Sequence, residues 1–351
     1  LRDSCFLNEG EGTFRNISDE IGLAKAGKGL GVIAADFNND HHIDLYVAND
    51  TVNNFLYLNR GDLKFEEHGL LSGVALDHNA TANGSMGVAV SDYNRDGQAD
   101  LFVTNYEEEL IALYENQGED RFRHISTQAG FGRIGTLYVG FGCIMADLNL
   151  DGREDFCSSN GHAVHLPSNS SLAQTPLVML QSSPGEFQPV VPGSNDYFDS
   201  VHRGRGVAKG DFDRNGKVDL LFSHIEESAA LLLNRTETTS RTLTLRLIGT
   251  RSDRLGTGSR ISVDQDGQLM HQFLAGGGSY LSANAQELHF GVNHSSAPRV
   301  QIHWPSGITQ EMNLQALWDK SDSKPLQIVV VEPKSEADSG QYYPIHFQTT
   351  E

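Results

Sequence analysis

Cysteine is scarce, with Cys5, Cys143 and Cys157 the only three in 351 residues, too few for a disulfide framework. Cys143 and Cys157 flank one acidic loop on strands expected to be adjacent, but sit diagonally rather than opposite each other, so buried thiols are expected rather than a bridge. No Cys/His zinc spacing occurs. There is no apolar run of about eighteen residues and no charged-then-apolar leader at residue 1, so no membrane-inserting helix or signal peptide is expected in this sequence. Basic residues are also few: 26 Lys+Arg stand against 46 Asp+Glu, a net charge of −20. That balance repels phosphate backbones and anionic membranes, excluding nucleic acid as an expected partner and favouring divalent cations. A hydrophobic content of 38% is enough for a substantial core and argues against disorder.

The acids follow a pattern. Asp211, Asp213, Asn215 and Asp219 place oxygen donors at positions 1, 3, 5 and 9 of a loop whose sixth residue is Gly216, with the backbone carbonyl of Lys217 at position 7. The spacing recurs as Asp36, Asn38, Asp40, His42, Asp44; as Asp92, Asn94, Asp96, Gln98, Asp100; and as Asp147, Asn149, Asp151, Arg153, Asp155. All-oxygen donors at this spacing suit Ca²⁺, one ion per loop and about four in all. The competing reading is a set of Asx turns that use Asp and Asn only for local backbone bonds. An EF-hand is excluded, because position 12 holds Val47, Val103, Ser158 and Phe222 instead of Glu, and the flanks are short β-prone runs. His41 stands where the other loops have glycine, at a position expected to need positive φ, so the first loop should bind most weakly.

The loops are one mark of a longer repeat. Each period has a glycine pair before the loop (Gly29 and Gly31, Gly84 and Gly87, Gly140 and Gly142, Gly204 and Gly206), an apolar strand after it, and then a strand-turn-strand such as Phe55-Leu56-Tyr57-Leu58-Asn59-Arg60-Gly61 to Phe65. Cys5 to Phe14 is the second half of such a period. Radially repeated four-stranded sheets make a β-propeller. These motifs resemble FG-GAP/VCBS repeats, the blades of integrin-α-type propellers. Such propellers usually have seven blades, so about three more are expected outside this sequence, or else an unusual closure. Gly161–Ser171 reads as a surface insertion in the longest period.

After Asn234 the pattern changes to a second all-β module, with strands expected near Leu243–Leu247, Arg260–Val263, Met270–Phe273, Leu288–Phe290, Arg299–Trp304 and Gln327–Val331. Its Gly249 to Gly258 segment, Gly276-Gly277-Gly278-Ser279-Tyr280-Leu281-Ser282, His289-Phe290-Gly291 and Trp304-Pro305-Ser306-Gly307 resemble the ASPIC/UnbV domain. The pairing resembles the cartilage acidic protein/UnbV family. Asp253 departs from the Asn more usual there and could pair with Arg251 or Arg254. Trp304 is expected in the core. The domain reading is all-β: residues 1–235 a partial propeller of about four blades plus a half blade, 236–332 the small β-module, and 333–351 a polar, mobile tail.

A hairpin sends its loop to one end and its outer ends to the other, so the residues after each second strand should gather on a rim away from the loops. That rim collects Asn49, Asp50, Asn105, Tyr106, Tyr138, Asn160, His162, Arg203, Arg205 and His224 as candidate ligand contacts; the plainer reading is that they satisfy loop backbone groups. His162, His165, His202 and His224 lack a recognised metal or acid–base spacing, and no catalytic residue is assigned. The resemblance implies an exported protein, extracellular or periplasmic, acting as a calcium-braced scaffold for protein or glycan binding or adhesion. The alternative it implies is an unusual natural-product enzyme, cyclase- or lyase-like, working in the propeller funnel.

Overall fold

The computed structural model describes residues 2–164, 170–191, 193, 196–321, 325–335, 338 and 340–345. His165 and its neighbours to Asn169 in the expected insertion lie outside them. The chain is all-β. A two-stranded half blade, Phe6–Gly10 with Thr13–Asn16, precedes four antiparallel blades. Their inner strands are Gly29–Ala35, Val88–Ser91, Gly140–Ala146 and Gly204–Gly210; their second strands are Asp44–Asn49, Asp100–Val103, Asp155–Asn160 and Asp219–His224. Third and fourth strands complete three of the blades, and the last blade shows three strands among the described residues.

Strand alternation makes the blades stack. Successive side chains point to opposite sheet faces, so Tyr46 and Ala48 join Leu101 and Val103 in a core between the first two blades, while Phe102 faces the other way to pack with Phe156 and Phe187. Cys157 then joins Val207, Leu220 and Phe222 between the last two blades. Both Cys143 and Cys157 are buried free thiols, as the sequence suggested, but the register differs by one residue from the expected diagonal: Cys143 stands opposite Ser158 and Cys157 opposite Ile144, which puts the two thiols on opposite faces of the sheet. The faces at the two ends of the array carry apolar residues in the open, Phe6 and Phe14 at one, Leu221 and Leu231 at the other.

The glycine pairs are explained by close approach. A β-carbon on Gly31, Gly87 or Gly142 would fall 2.2 Å from Met86 O, 2.0 Å from Phe141 O and 2.5 Å from Val207 N respectively, in each case backbone in, or two residues before, the next inner strand. On Gly206 it would meet Ser282 Oγ at 2.2 Å, which belongs to the C-terminal module. A finger of that module, Gly276 to Gln286, runs down the inner strands and back. Gly276 and Gly277 pair with Ala34 and Ile33, Ser279 bridges Val88 and donates to Val207 O at 2.6 Å, Tyr280 packs edge-on against Phe141, and Ala285 N donates to Lys209 O at 2.9 Å. The finger thus occupies, beside the fourth blade, the place that the next inner strand occupies beside the other three.

The rest of the module is two four-stranded sheets around one core. Arg241–Ile248 lies between Leu288–Val292 and Leu326–Val331 in one sheet, pairing with the latter in parallel; Arg260–Gln265 lies between Gln268–Phe273 and Arg299–His303 in the other, which Thr309–Asn313 completes. Trp304 is fully buried there, its Nε1 donating to Gln310 Oε1 at 3.1 Å. The expected mobile tail is partly a strand: Gln341–Pro344 pairs with Leu326–Val331, held by Tyr342, whose hydroxyl donates to Asn313 O at 2.9 Å. Asp253 pairs with neither Arg251 nor Arg254; its Oδ1 accepts from Leu255 N at 2.8 Å and closes a turn.

Candidate functional site

The four acidic loops share one hydrogen-bond skeleton. The position 1 aspartates, Asp36, Asp92, Asp147 and Asp211, accept from the position 5 amide through Oδ1 and from the position 6 amide through Oδ2, at 2.8–3.1 Å. The position 5 amide also lies 3.0–3.3 Å from the side-chain oxygen of Asn38, Asn94, Asn149 or Asp213. Position 6 is left-handed throughout, at φ 69° for His41 and 82–86° for Gly97, Gly152 and Gly216. So is position 4 (Asn39, Arg95, Leu150 and Arg214), a conformation that Asn adopts readily but that the side chains of Arg95, Leu150 and Arg214 do not announce. The position 7 residues His42, Gln98, Arg153 and Lys217 donate their amides to Asp40, Asp96, Asp151 and Asn215.

The position 9 aspartates are fully buried. Asp44, Asp100, Asp155 and Asp219 each accept from the position 2 amide and from the end of the third strand, at Asn59, Asn116, Gln181 and Asn234. Among the described residues no Lys or Arg pairs with a carboxylate at position 1 or 9, whereas Arg153 and Arg235 pair with the outer Asp151 and Asp213. Burial, more than neighbouring acids, accordingly pushes Asp44 and Asp155 up to about 8 and Asp92 and Asp147 to about 7. Donors that are all oxygen and carry charge without a protein cation fit a hard divalent ion. In the fourth loop Asp211, Asp213 and Asp219 already bring one carboxylate oxygen each within 4.8 Å of one another.

The module covers this end of the array. Arg260 Nη1 lies 3.1 Å from Asn39 Oδ1 and 3.2 Å from Gly97 O, tying the first two loops; Gly291 N donates to Asp147 Oδ2 at 3.1 Å and Gln327 Nε2 to Asp211 Oδ2 at 3.2 Å. Arg95 Nη2 joins the second loop to the third through Gly152 O at 2.7 Å. Two position 1 aspartates, Asp147 and Asp211, therefore anchor the module as well as their own turns.

At the opposite rim several candidate ligand contacts are committed to their own loops. Asn49, Asn105 and Asn160 are buried; their Nδ2 groups donate to Asn53 O, Leu110 O and Thr175 O at 2.7–2.9 Å. His162 is fully buried, with Nε2 3.1 Å from Glu107 Oε1 and Nδ1 accepting from Val164 N at 3.0 Å. His224 lies between Tyr197 and Ser228. Half-buried at the rim remain Asp50, Tyr106, Tyr138, Arg203 and Arg205. Arg205 donates to Gly204 O and His162 O and lies 4.0 Å over the Phe141 ring, while Arg203 pairs with Glu226. Two acids that sequence reading passed over set the loops: Glu109 accepts from Gly84 N and Tyr106 N, and Glu227 from Arg203 N, at 2.9–3.1 Å. Their signal is a glutamate a few residues beyond the second strand, six after Val103 and three after His224. The finger adds Tyr280 and Leu281 at its tip, the latter 85% exposed.

Comparison with known proteins places names on these parts. A model of FG-GAP-like repeats matches residues 2–47, 36–103 and 92–158, and one described as ASPIC and UnbV matches 249–329. Cartilage acidic protein 1 of Homo sapiens is 27% identical over 308 residues, 86% of this chain and 44% of that protein; the Mus musculus protein is 26% identical over 334 residues, 91% of this chain and 49% of that one. The chain thus spans about half the length of the relatives it matches. A solved structure described as an Agrocybe aegerita lectin recognising non-reducing terminal N-acetylglucosamine aligns with 67% of this chain and 61% of its own, at 17% identity and a TM-score of 0.36. No helix among the described residues is long and apolar enough to cross a membrane. The chain carries FG-GAP-like repeats in propeller-type blades followed by an ASPIC and UnbV domain, and over most of its length it is similar to cartilage acidic protein 1.

Proposed function

We propose that this chain is an extracellular binding scaffold, braced by about four Ca²⁺ in the acidic loops, that holds a protein or glycan at the rim opposite those loops. The observation that carries the reading is the placement of the module: through Arg260, Gly291 and Gln327 it covers the loop end, which leaves the far rim as the end with side chains to offer. There Asp50, Tyr106, Tyr138 and Arg203 stand half-buried on loops preset by the Asn and Glu clamps, around the exposed Leu281. Mixed charge, phenols and an apolar tip on prearranged loops suit polar recognition at low ordering cost. The extracellular placement is supported by the relatives, whose name sets them in cartilage.

The test is to screen the calcium-loaded chain against a glycan array and immobilised extracellular-matrix proteins. Tyr138→Ala and Leu281→Asp should abolish a hit without lowering the melting temperature by more than a few degrees. A hit indifferent to both changes, yet lost on altering Gln301 and Glu311 on the module strands Arg299–His303 and Thr309–Asn313, would overturn the reading.

A further inference from the structure

The rim of the fourth blade gathers two imidazoles and a phenol that the scaffold reading leaves without a task, beside the Glu227 carboxylate that clamps the loop. His202 lies just before the inner strand Gly204–Gly210, His224 ends the second strand, and Glu227 follows in the next loop; pairing of Gly204 with His224 brings them to one level. The three can each present one ligating atom within 4.8 Å of the others. The two imidazoles stack with centroids 4.9 Å apart, and Tyr197 stacks on His202 at 4.4 Å.

The hydrogen bonds decide where the lone pairs are. His224 Nδ1 lies 2.7 Å from Ser228 O; a carbonyl only accepts, so Nδ1 carries the proton and Nε2 presents a lone pair, met here by the Tyr197 hydroxyl at 2.7 Å. A ring nitrogen that donates to a backbone carbonyl fixes the tautomer and aims the other nitrogen, which is how metal-ligating histidines are usually held. His202 Nδ1 lies 2.9 Å from Glu227 Oε2, and its Nε2 is buried with no hydrogen-bond partner among the described residues. A buried ring nitrogen left unmatched is costly unless something fills its place. Glu227 is steadied from its other oxygen, which accepts from Arg203 N at 3.0 Å.

We propose that His202, His224 and Glu227 bind one borderline divalent transition ion of the Zn²⁺ type, at the end of the array opposite the acidic loops. Two imidazoles and a carboxylate match the donor preference of Zn²⁺, whereas Ca²⁺ takes oxygen alone. The Glu227 side chain is 37% exposed, so the ion keeps a solvent-side position for water or for an oxygen or nitrogen of a bound partner. The ion would also pin the entry of the last inner strand to the exit of the strand beside it.

The experiment uses the full chain, stripped of transition metals and kept in excess Ca²⁺, titrated with Zn²⁺ by calorimetry. One Zn²⁺ per chain is expected. His202→Gln and His224→Gln should each weaken it by about 100-fold or more, beyond the roughly 10–100-fold typical of losing a partner outside the ligand set. Co²⁺ added in place of Zn²⁺ should give visible d–d bands that disappear in the same variants. Should either histidine variant fail to fold, Glu227→Gln, altered at an exposed carboxylate, carries the same two measurements with an expected weakening of at least about tenfold. No Zn²⁺ uptake by the native chain, or uptake unchanged by these substitutions, would overturn the proposal.

Discussion

Gly206 lies against Ser282 as Gly142 lies against Val207 one blade earlier, yet the partner is a side chain in one case and backbone in the other. A β-carbon at Gly142 would sit 2.5 Å from Val207 N, where only a shift of the whole strand gives room. Gly142→Ala should therefore cost about 1–3 kcal/mol, against almost nothing for Gly193→Ala, which has open space around it. Gly206→Ala should cost a comparable amount that Ser282→Ala partly restores, since removing Oγ clears the nearest contact. Urea denaturation of the single and double variants measures this; strict additivity at Gly206 and Ser282 would show that the finger does not seat there.

Removal of Ca²⁺ with EGTA should lower the melting temperature, and calorimetry should count about four ions, because the buried loop carboxylates lack a protein counter-charge. Within the set, Asp96→Ala should lower it more than Asp40→Ala. The first loop holds His41 at φ 69°, a conformation that costs a non-glycine residue about 1–2 kcal/mol, so less binding energy is there to lose. His41→Gly should tighten that loop. Equal shifts for the two Asp variants at fixed Ca²⁺ would contradict the ranking.

Glu332 is a buried acid that anchors the module's first turn. Its Oε2 accepts from the amides of Thr250, Arg251 and Ser252 at 2.7–2.9 Å, and Oε1 from Ser252 Oγ and Ser306 Oγ at 2.5–2.8 Å. Burial works to raise its pKa, but those bonds outweigh it and leave the group below its usual value. The resulting stability is present above about pH 4.5 and is lost as pH falls through the lowered folded value. Glu332→Gln replaces an acceptor by an amide whose NH₂ faces donors, and should cost about 2–3 kcal/mol at pH 7. A near-neutral variant by chemical denaturation would refute the anchor.

His289 gives a second acid-sensitive term at higher pH. Burial first, and Lys209 second, hold it down at about 4, against 6.5 unfolded. Between those values the unfolded chain takes up a proton that the folded chain refuses, so stability is full above pH 6.5 and declines toward pH 4. In saturating Ca²⁺, His289→Gln should reduce the loss of unfolding free energy between pH 7 and pH 5. An unchanged slope would place the acid sensitivity elsewhere.

The blades were legible because their determinants are local: Asp/Asn spacing, a glycine before each loop, and β-branched or aromatic alternation. Even the left-handed turn position at His41 followed from the glycine that the other loops carry there. The rim was harder, since whether Asn105 meets a ligand or Leu110 O depends on a loop conformation set by Glu109, and on Ser85, whose hydroxyl donates to Asn105 Oδ1 at 2.8 Å. The finger was not legible at all. Gly276-Gly277-Gly278 marked a family landmark, but nothing in its own residues says that Ser279 will bridge Val88, because that pairing spans nearly two hundred positions. The strand at Gln341–Pro344 was hidden for a related reason: Gln-Tyr-Tyr-Pro shows no period of its own until Leu326–Val331 supplies an edge to pair with in antiparallel fashion.

The seating of the finger sets an order of assembly. Each blade is an antiparallel meander whose contacts close over a few dozen residues, so blades can form one after another as the chain emerges. The finger has no site until the inner strands of all four stand side by side, and its own module is completed only by the parallel strand Leu326–Val331, near the end of the described chain. Its insertion is therefore a late step that couples units which would otherwise melt as a near-neighbour series. A chain interrupted before Gly276 would retain its blades and lose their cooperativity.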